Sequence, residues 1–260
     1  MRAIKWLIYI TTMSSSLPLH EFGHPDTPTI ILLHPGGALH SVWLPFIRTW
    51  SSKYHLLVPD LITQQTSLAA LAVQITTLIE SHCKEKVWLV GSSLGANVAL
   101  LVAAGSPHLL AGLVLDSAQC GGKPPAGLPI IISFLRRVVY FVPKFLITSF
   151  LLTQFRNYSE ADLRAIRAEL EASRKTSFLE QIEIHFEYDI TPFLKNIDVP
   201  TLIVAGQHDM LTKSGEPYKL QKGIKSSRLQ IIPAAGHVTF LQQPVIFDQL
   251  IGEFLNQNAT

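Results

Sequence analysis

Six short runs of apolar residues recur along the chain and constrain its fold more than any other feature. They cover residues 29–33, 55–58, 87–90, 112–115, 201–204 and 229–232. Each is nearly continuously apolar rather than alternating. A strand with one wet face alternates apolar and polar residues, whereas a strand covered on both faces does not. The runs therefore predict a sheet buried on both sides. The segments between them carry helical spacing. Ser67 can cap a helix over 68–79, and residues 96–104 form a small-residue helix. A closing helix over 245–255 places Ile246, Leu250, Ile251 and Phe254 along one side. Strand and helix in alternation predict an α/β fold with a doubly wound, mostly parallel sheet. A length of 260 residues, 48% of them hydrophobic and 15% charged, suits one large domain with a sizeable core.

One region breaks the rhythm. Residues 120–190 show helical patterning without a strand. Gly121-Gly122-Lys123-Pro124-Pro125 opens it as a hinge-like loop. Apolar stretches follow at 128–141 and 145–155, separated by Pro143. Ser159-Glu160-Ala161-Asp162 resembles a capping box ahead of a helix over 163–174, and a further helix is expected over 177–186. The expected division is a core of 1–119 and 191–260 with a helical cap of 120–190. The acidic residues Glu160, Asp162, Glu169 and Glu171 read as solvated helix faces.

Several classes are disfavoured. A net charge of +2 without a basic block gives no footprint for nucleic acid. Cys83 and Cys120 are the two cysteines, read as reduced thiols in a cytoplasmic protein rather than a disulfide framework. Met1-Arg2-Ala3-Ile4-Lys5 is basic and Trp6–Ile10 apolar, but that run is shorter than the roughly 7–15 residues of a secretory signal core. It reads as a first strand or a leader before Met13, with secretion a minority reading. No stretch reaches the roughly 20 apolar residues of a membrane-spanning helix. No metal-ligand spacing, phosphate loop or dinucleotide fingerprint appears, so cofactor-free chemistry is expected.

The run Gly91-Ser92-Ser93-Leu94-Gly95 falls between a predicted strand and a predicted helix. A serine hydroxyl becomes a nucleophile only with a base in reach, an acid to orient that base, and donors for the developing oxyanion. A sharp strand-to-helix turn could expose Ser93, and it needs small neighbours such as Gly91 and Gly95. The free N–H groups of the helix start would point at the developing charge.

At this point the sequence resembles the α/β-hydrolase family, over nearly the whole chain. The resemblance implies a triad in the order Ser, Asp, His. Ala205-Gly206-Gln207-His208-Asp209 is similar to the family's acid loop, and Pro233-Ala234-Ala235-Gly236-His237 to its Gly-His loop. Asp209 would then orient His237, and His237 would deprotonate Ser93. His34-Pro35-Gly36-Gly37 resembles the family's oxyanion loop, with proline in place of the first glycine. Proline has no N–H, so the implied donors are the N–H groups of Gly36 and Leu94, with Gly37 as fallback. Asp116, also after a predicted strand, is the alternative acid. Ser92, His34, Asp60, His185 and His208 read as supporting or structural residues. Serine at position 93 argues against relatives that use an aspartate nucleophile.

The expected partner is a small apolar ester of short to medium chain, with no nucleic acid and no membrane span, acted on by a monomer or homodimer. Most of the apolar residues of 128–147 are expected to pack helix against helix, and some to line an acyl pocket. Contact of a lid with lipid, flanked by Arg136, Arg137 and Lys144, is a weaker reading. A carbon–carbon bond hydrolase, an aminopeptidase and a non-catalytic small-molecule receptor remain open as alternatives.

Overall fold

The computed structural model describes residues 17–61, 67–121, 127–153, 155, 158–173, 188–212 and 215–258. Its strands are β1 (Leu19–Phe22), β2 (Thr29–Leu33), β3 (His55–Pro59), β4 (Val87–Ser92), β5 (Leu110–Asp116), β6 (Thr201–Gly206) and β7 (Ser227–Ile232). The helices are α1 (Leu44–Trp50), α2 (Leu68–His82), α3 (Leu94–Gly105), α4 (Leu128–Phe141), α5 (Lys144–Leu152), α6 (Glu160–Ala172), α7 (Glu216–Gly223), α8 (Thr239–Gln242) and α9 (Pro244–Asn258). The expected runs at 6–10, 177–186 and most of the loop at 122–125 lie outside the described residues.

The seven strands form one sheet in the order β1-β3-β2-β4-β5-β6-β7. All neighbours pair parallel except β1, which runs antiparallel to β3. The chain runs outward from β2 to β3, then crosses back to β4 on the other side of β2. That reversal opens a crevice beyond the strand ends, where doubly wound sheets bind ligands.

The uninterrupted apolar runs follow from burial on both faces. Ile31, Leu33, Leu89, Leu113 and Ile203 belong to a core with Leu71 and Ile75 of α2 and Val98 of α3. Their neighbours Ile30, Leu32, Val90, Val114 and Val204 join a second core with Trp43, Phe46 of α1, and Phe247 and Phe254 of α9. Each fully buried aliphatic or aromatic side chain contributes about 1.5–3 kcal/mol, so a polar residue in either register would weaken a whole layer. Strand β1 (Leu-His-Glu-Phe) shows no apolar run, because it is a half-exposed edge.

Ser67 caps α2, its hydroxyl accepting from the Ala70 N–H at 3.2 Å, and Ser159 caps α6 through the Asp162 N–H at 3.2 Å. The acidic face of α6 is not uniformly solvated, which corrects the expectation for Asp162 and Glu169. Asp162 is buried (3% exposed), and the Arg48 guanidinium donates to its two oxygens at 2.8 and 2.6 Å. Glu169 accepts from the Ser41 hydroxyl and lies 3.3 Å from His40 Nδ1. The Tyr158 hydroxyl donates to the Val42 carbonyl. These partners lie more than 100 residues away in sequence, so periodicity alone could not distinguish this docked face from a wet one.

The apolar stretch 128–147 also departs from expectation. Ile132 is buried at 3% exposure, but Ile130 (76%), Phe134 (64%), Phe141 (82%) and Phe145 (60%) face outward. Helix-to-helix packing therefore does not absorb most of it.

Helix α3 crosses β2 in close contact. A Cβ on Gly95 would lie 2.1 Å from the Leu33 carbonyl oxygen, a backbone atom held in the sheet. Gly95→Ala is expected to lower stability by about 1–3 kcal/mol, the cost of overpacking a site that cannot relax. Urea unfolding measures it, and an unchanged midpoint would show that α3 can shift.

Candidate active site

Ser93 is the junction between β4 and α3. Its backbone sits at φ 50° and ψ −109°, a positive φ for a residue with a side chain. Such a conformation costs about 1–3 kcal/mol and needs surrounding structure to impose it. The Ser93 N–H donates to the Asp116 carbonyl at 2.8 Å, and the Asn97 N–H donates to the Ser93 carbonyl at 3.0 Å. A Cβ on Gly91 would lie 2.4 Å from the Gly95 carbonyl oxygen, so the turn can be this tight only with glycine there. Leu94 opens α3, and its N–H is one of the first four, which have no acceptor within the helix.

His237 and Asp209 arrive on two loops joined by backbone hydrogen bonds. The Gln207 N–H donates to the Ile232 carbonyl at 3.0 Å, and the His208 N–H to the Ala235 carbonyl at 2.8 Å. Gly206 has no room for a side chain, since a Cβ would lie 2.0 Å from the Gly236 carbonyl oxygen. The Gly236 N–H donates to the Gln242 side-chain oxygen. This arrangement sets His237 Nε2 2.8 Å from Ser93 Oγ. His237 Nδ1 lies 3.0 Å from Asp209 Oδ2 and 3.1 Å from Oδ1.

Burial alone would raise the Asp209 carboxyl. The hydrogen bond and charge of His237, with the backbone N–H groups of Thr212 and Leu211, outweigh burial and hold it below its ordinary value. Those N–H groups donate to Oδ1 at 2.9 and 2.8 Å. An ionised carboxylate only accepts, so the ring proton sits on Nδ1 and leaves Nε2 to accept from the Ser93 hydroxyl. Thr212 is a neighbour that sequence reasoning missed. Its buried hydroxyl lies 3.3 Å from His237 Nδ1 and donates to the Ser117 carbonyl at 3.3 Å. Closeness to Asp209 in sequence was the sole signal for it.

Asp116, the alternative acid, is fully buried at the end of β5. Its oxygens accept from the Ser92 hydroxyl at 2.7 Å and the Thr239 hydroxyl at 2.7 Å. The structure therefore brings Asp209 to His237 and engages Asp116 with two hydroxyls instead. Burial pushes Asp116 up to about 6, against the lowering effect of those hydroxyls and of His237.

Leu33 pairs with Gly91, so the loop after β2 starts beside the end of β4. The Ala38 N–H donates to the Pro35 carbonyl at 3.3 Å, and Gly37 has φ +79°. Gly36 and Gly37 thus occupy the centre of a turn that demands a positive φ at its third position. His34 anchors it, fully buried. Its Nδ1 lies 2.9 Å from the Pro35 carbonyl oxygen, and its Nε2 accepts from the Leu61 N–H at 2.7 Å. Desolvation pushes its pKa down to about 4, so the ring is neutral and structural at neutral pH.

Among the described residues, His20, His40 and Asp60 form the group whose donor atoms lie close enough to hold a metal. The two rings stack at 3.5 Å with 20° between their planes, and each presents a nitrogen to Asp60. Asp60 Oδ2 lies 3.2 Å from His20 Nε2, while Oδ1 accepts from the His40 N–H at 3.0 Å and lies 3.3 Å from Nδ1. The cluster therefore ties β1, β3 and the loop at His40 together. Cys83 and Cys120 are unpaired.

Comparison with known proteins agrees with the architecture. A sequence profile described as the alpha/beta hydrolase family matches residues 30–249. The chain is 25% identical to a protein named as a carbamate hydrolase, RutD, of Agrobacterium fabrum, over 91% of this chain and 96% of the relative. It is 26% identical to the pimeloyl-[acyl-carrier protein] methyl ester esterase of Aeromonas hydrophila, over 92% and 99%. It is likewise 26% identical to carboxylesterase YbfK of Bacillus subtilis, over 95% and 86%. Among solved structures, an esterase from Thermogutta terrifontis superposes with a TM-score of 0.75 at 24% identity, covering 94% of both chains. At that identity the likeness shows the fold.

The buried Asp116 gives a pH dependence of known sign. Its folded pKa of about 6 exceeds the ordinary 3.8, so between them the native state holds a proton that the unfolded chain has released. Stability from this group is therefore full below pH 4 and falls as pH rises towards 6. The difference is on the order of 2–3 kcal/mol. In urea titrations, Asp116→Asn should flatten that fall relative to wild type. Parallel pH profiles for the two proteins would contradict it.

Proposed function

Because this chain belongs to the alpha/beta hydrolase family, we propose that it is a serine hydrolase cleaving carboxylic esters with apolar, short- to medium-chain substituents. The observation that carries this reading is the continuous path Ser93 Oγ–His237 Nε2, 2.8 Å, and His237 Nδ1–Asp209 Oδ2, 3.0 Å, at a strained strand-to-helix turn. In this reading Ser93 Oγ attacks the ester carbonyl carbon while His237 Nε2 takes the hydroxyl proton. Asp209 steadies the imidazolium through Nδ1–H. The N–H groups of Leu94 and Gly36, or Gly37 in its place, hold the oxyanion. The C–O bond then breaks, His237 returns the proton to the departing alcohol, and an acyl-Ser93 ester remains. Water, deprotonated by His237, releases the acid and restores Ser93. Asp116 stays outside proton transfer and supports the turn through Ser92.

The residues 120–190 are proposed to cover this site as a cap. The names of the relatives support cleavage at an acyl carbon, and RutD extends the substrate class to carbamates, which the same attack can open. The unpaired cysteines support a reducing, cytoplasmic setting.

A fluorophosphonate is expected to label Ser93, and Ser93→Ala to abolish labelling; label retained in that variant would place the nucleophile elsewhere. With nitrophenyl esters, Asp209→Asn should lower kcat by about 10⁴-fold, as expected when the base loses its orienting acid, and Asp116→Asn by a small part of that. Equal losses in both variants would reassign the acid. A panel of esters and carbamates across acyl length reads the substrate class directly.

A further inference from the structure

Helix α4 turns its broader apolar face outward. Its inward side is narrow, with Ile132 buried and Arg136 and Val139 half-buried at the next two helical positions. The outward side presents Ile130 (76% exposed), Phe134 (64%), Val138 (40%) and Phe141 (82%) at helical spacing, and Phe145 of α5 (60%) extends it. A helix on a globular protein normally points its apolar stripe at the core. A contiguous exposed patch of aromatic and branched residues marks a surface that is covered in use.

The charge pattern identifies what covers it. Residues 128–153 contain Arg136, Arg137 and Lys144 and no aspartate or glutamate. Arg137 is exposed and stands one helical turn from both Phe134 and Phe141. Ile130, Ser133, Phe134 and Arg137 lie side by side on one face of α4, combining apolar side chains with a hydroxyl and a guanidinium. The Lys144 amine donates to the carbonyls of Glu171 and Ser173, which ties α5 to the end of α6. Exposed rings beside the exposed Arg137, with no carboxylate in residues 128–153, complement an anionic bilayer, whose acyl region takes the rings and whose headgroups take the guanidinium. A second copy fits less well, since a two-fold contact would bring the Arg137 of both copies into one interface to which residues 128–153 contribute no carboxylate.

We propose that the α4–α5 face is a docking surface for an anionic lipid bilayer, with α4 lying in the plane of the interface. A helix of 14 residues is about 21 Å long, too short to cross a hydrocarbon core of about 30 Å. No helix among the described residues is long and apolar enough to span a membrane. The surface therefore binds on the membrane and does not cross it. This inference is independent of the reaction assigned to Ser93.

The test is sedimentation of the full chain with vesicles of phosphatidylcholine alone or mixed with phosphatidylglycerol. Binding is expected to the mixed vesicles and to weaken with salt. Arg137→Gln should weaken it on the order of five-fold, the effect of one cation at an anionic surface. Phe134→Asp with Phe141→Asp should abolish binding while leaving the unfolding midpoint in place, because both rings are already exposed. No binding to the mixed vesicles, equal binding to phosphatidylcholine, or unchanged binding by the double variant would overturn the proposal. A wild-type dimer that the double variant converts to monomer would assign the face to a second copy and overturn it equally. Vesicle binding without turnover of any ester would leave this surface standing and remove the proposed reaction.

Discussion

The strained backbone of Ser93 is the constraint around which the site is arranged. A positive φ at a residue with a side chain persists only if its surroundings impose it. Here a strand end, a helix start and a hydrogen bond to the neighbouring β5 act together. Gly91 and Gly95 let the elements approach closely: a side chain on Gly91 would meet α3, and one on Gly95 would meet β2. The same closeness places the loop after β2 beside the start of α3. The free N–H groups of a helix start therefore face the reversal point of the sheet.

Four loops converge there from four strand ends, and each is secured by its own bonds. His34, neutral and doubly hydrogen-bonded, fixes the turn at Gly36. The acid and histidine loops are joined through Gln207 and His208. Asp116 and Asp209, two carboxylates near one imidazole, are driven apart in pKa by their environments. Asp116 is fully buried and met by two hydroxyls, and burial dominates. Asp209 gains backbone donors and the imidazole itself, which outweigh burial. Divergent environments thus move the two carboxyls to opposite sides of their ordinary value.

The helices between β5 and β6 follow another logic. Helix α6 and the residue just before its cap are fastened to α1 and the turn that precedes it by Arg48–Asp162, Ser41–Glu169 and Tyr158–Val42. Helix α4 is held through few inward side chains and displays its apolar face. One segment thus combines a docked element with an unpartnered one, and their compositions alone do not separate them.

The amino-acid sequence by itself determined the two-sided sheet, the order of its parallel strands with helices, and the positions of Ser93, Asp209 and His237 just after strands. Those features are local: apolar runs, glycine spacing and turn residues act within a few neighbours. The edge strand β1 escaped because half its surface is wet. Tertiary structure alone decided which of Asp116 and Asp209 meets His237, since both follow strands and differ only in which loop leans across. It also decided that Asp162 and Glu169 are engaged rather than solvated, and that Thr212 and Thr239 stand beside the site. The face α4 shows to solvent was decided there too. Each of these depends on partners distant in sequence, and a periodic pattern records that a residue has a side to bury or display without recording what lies on that side.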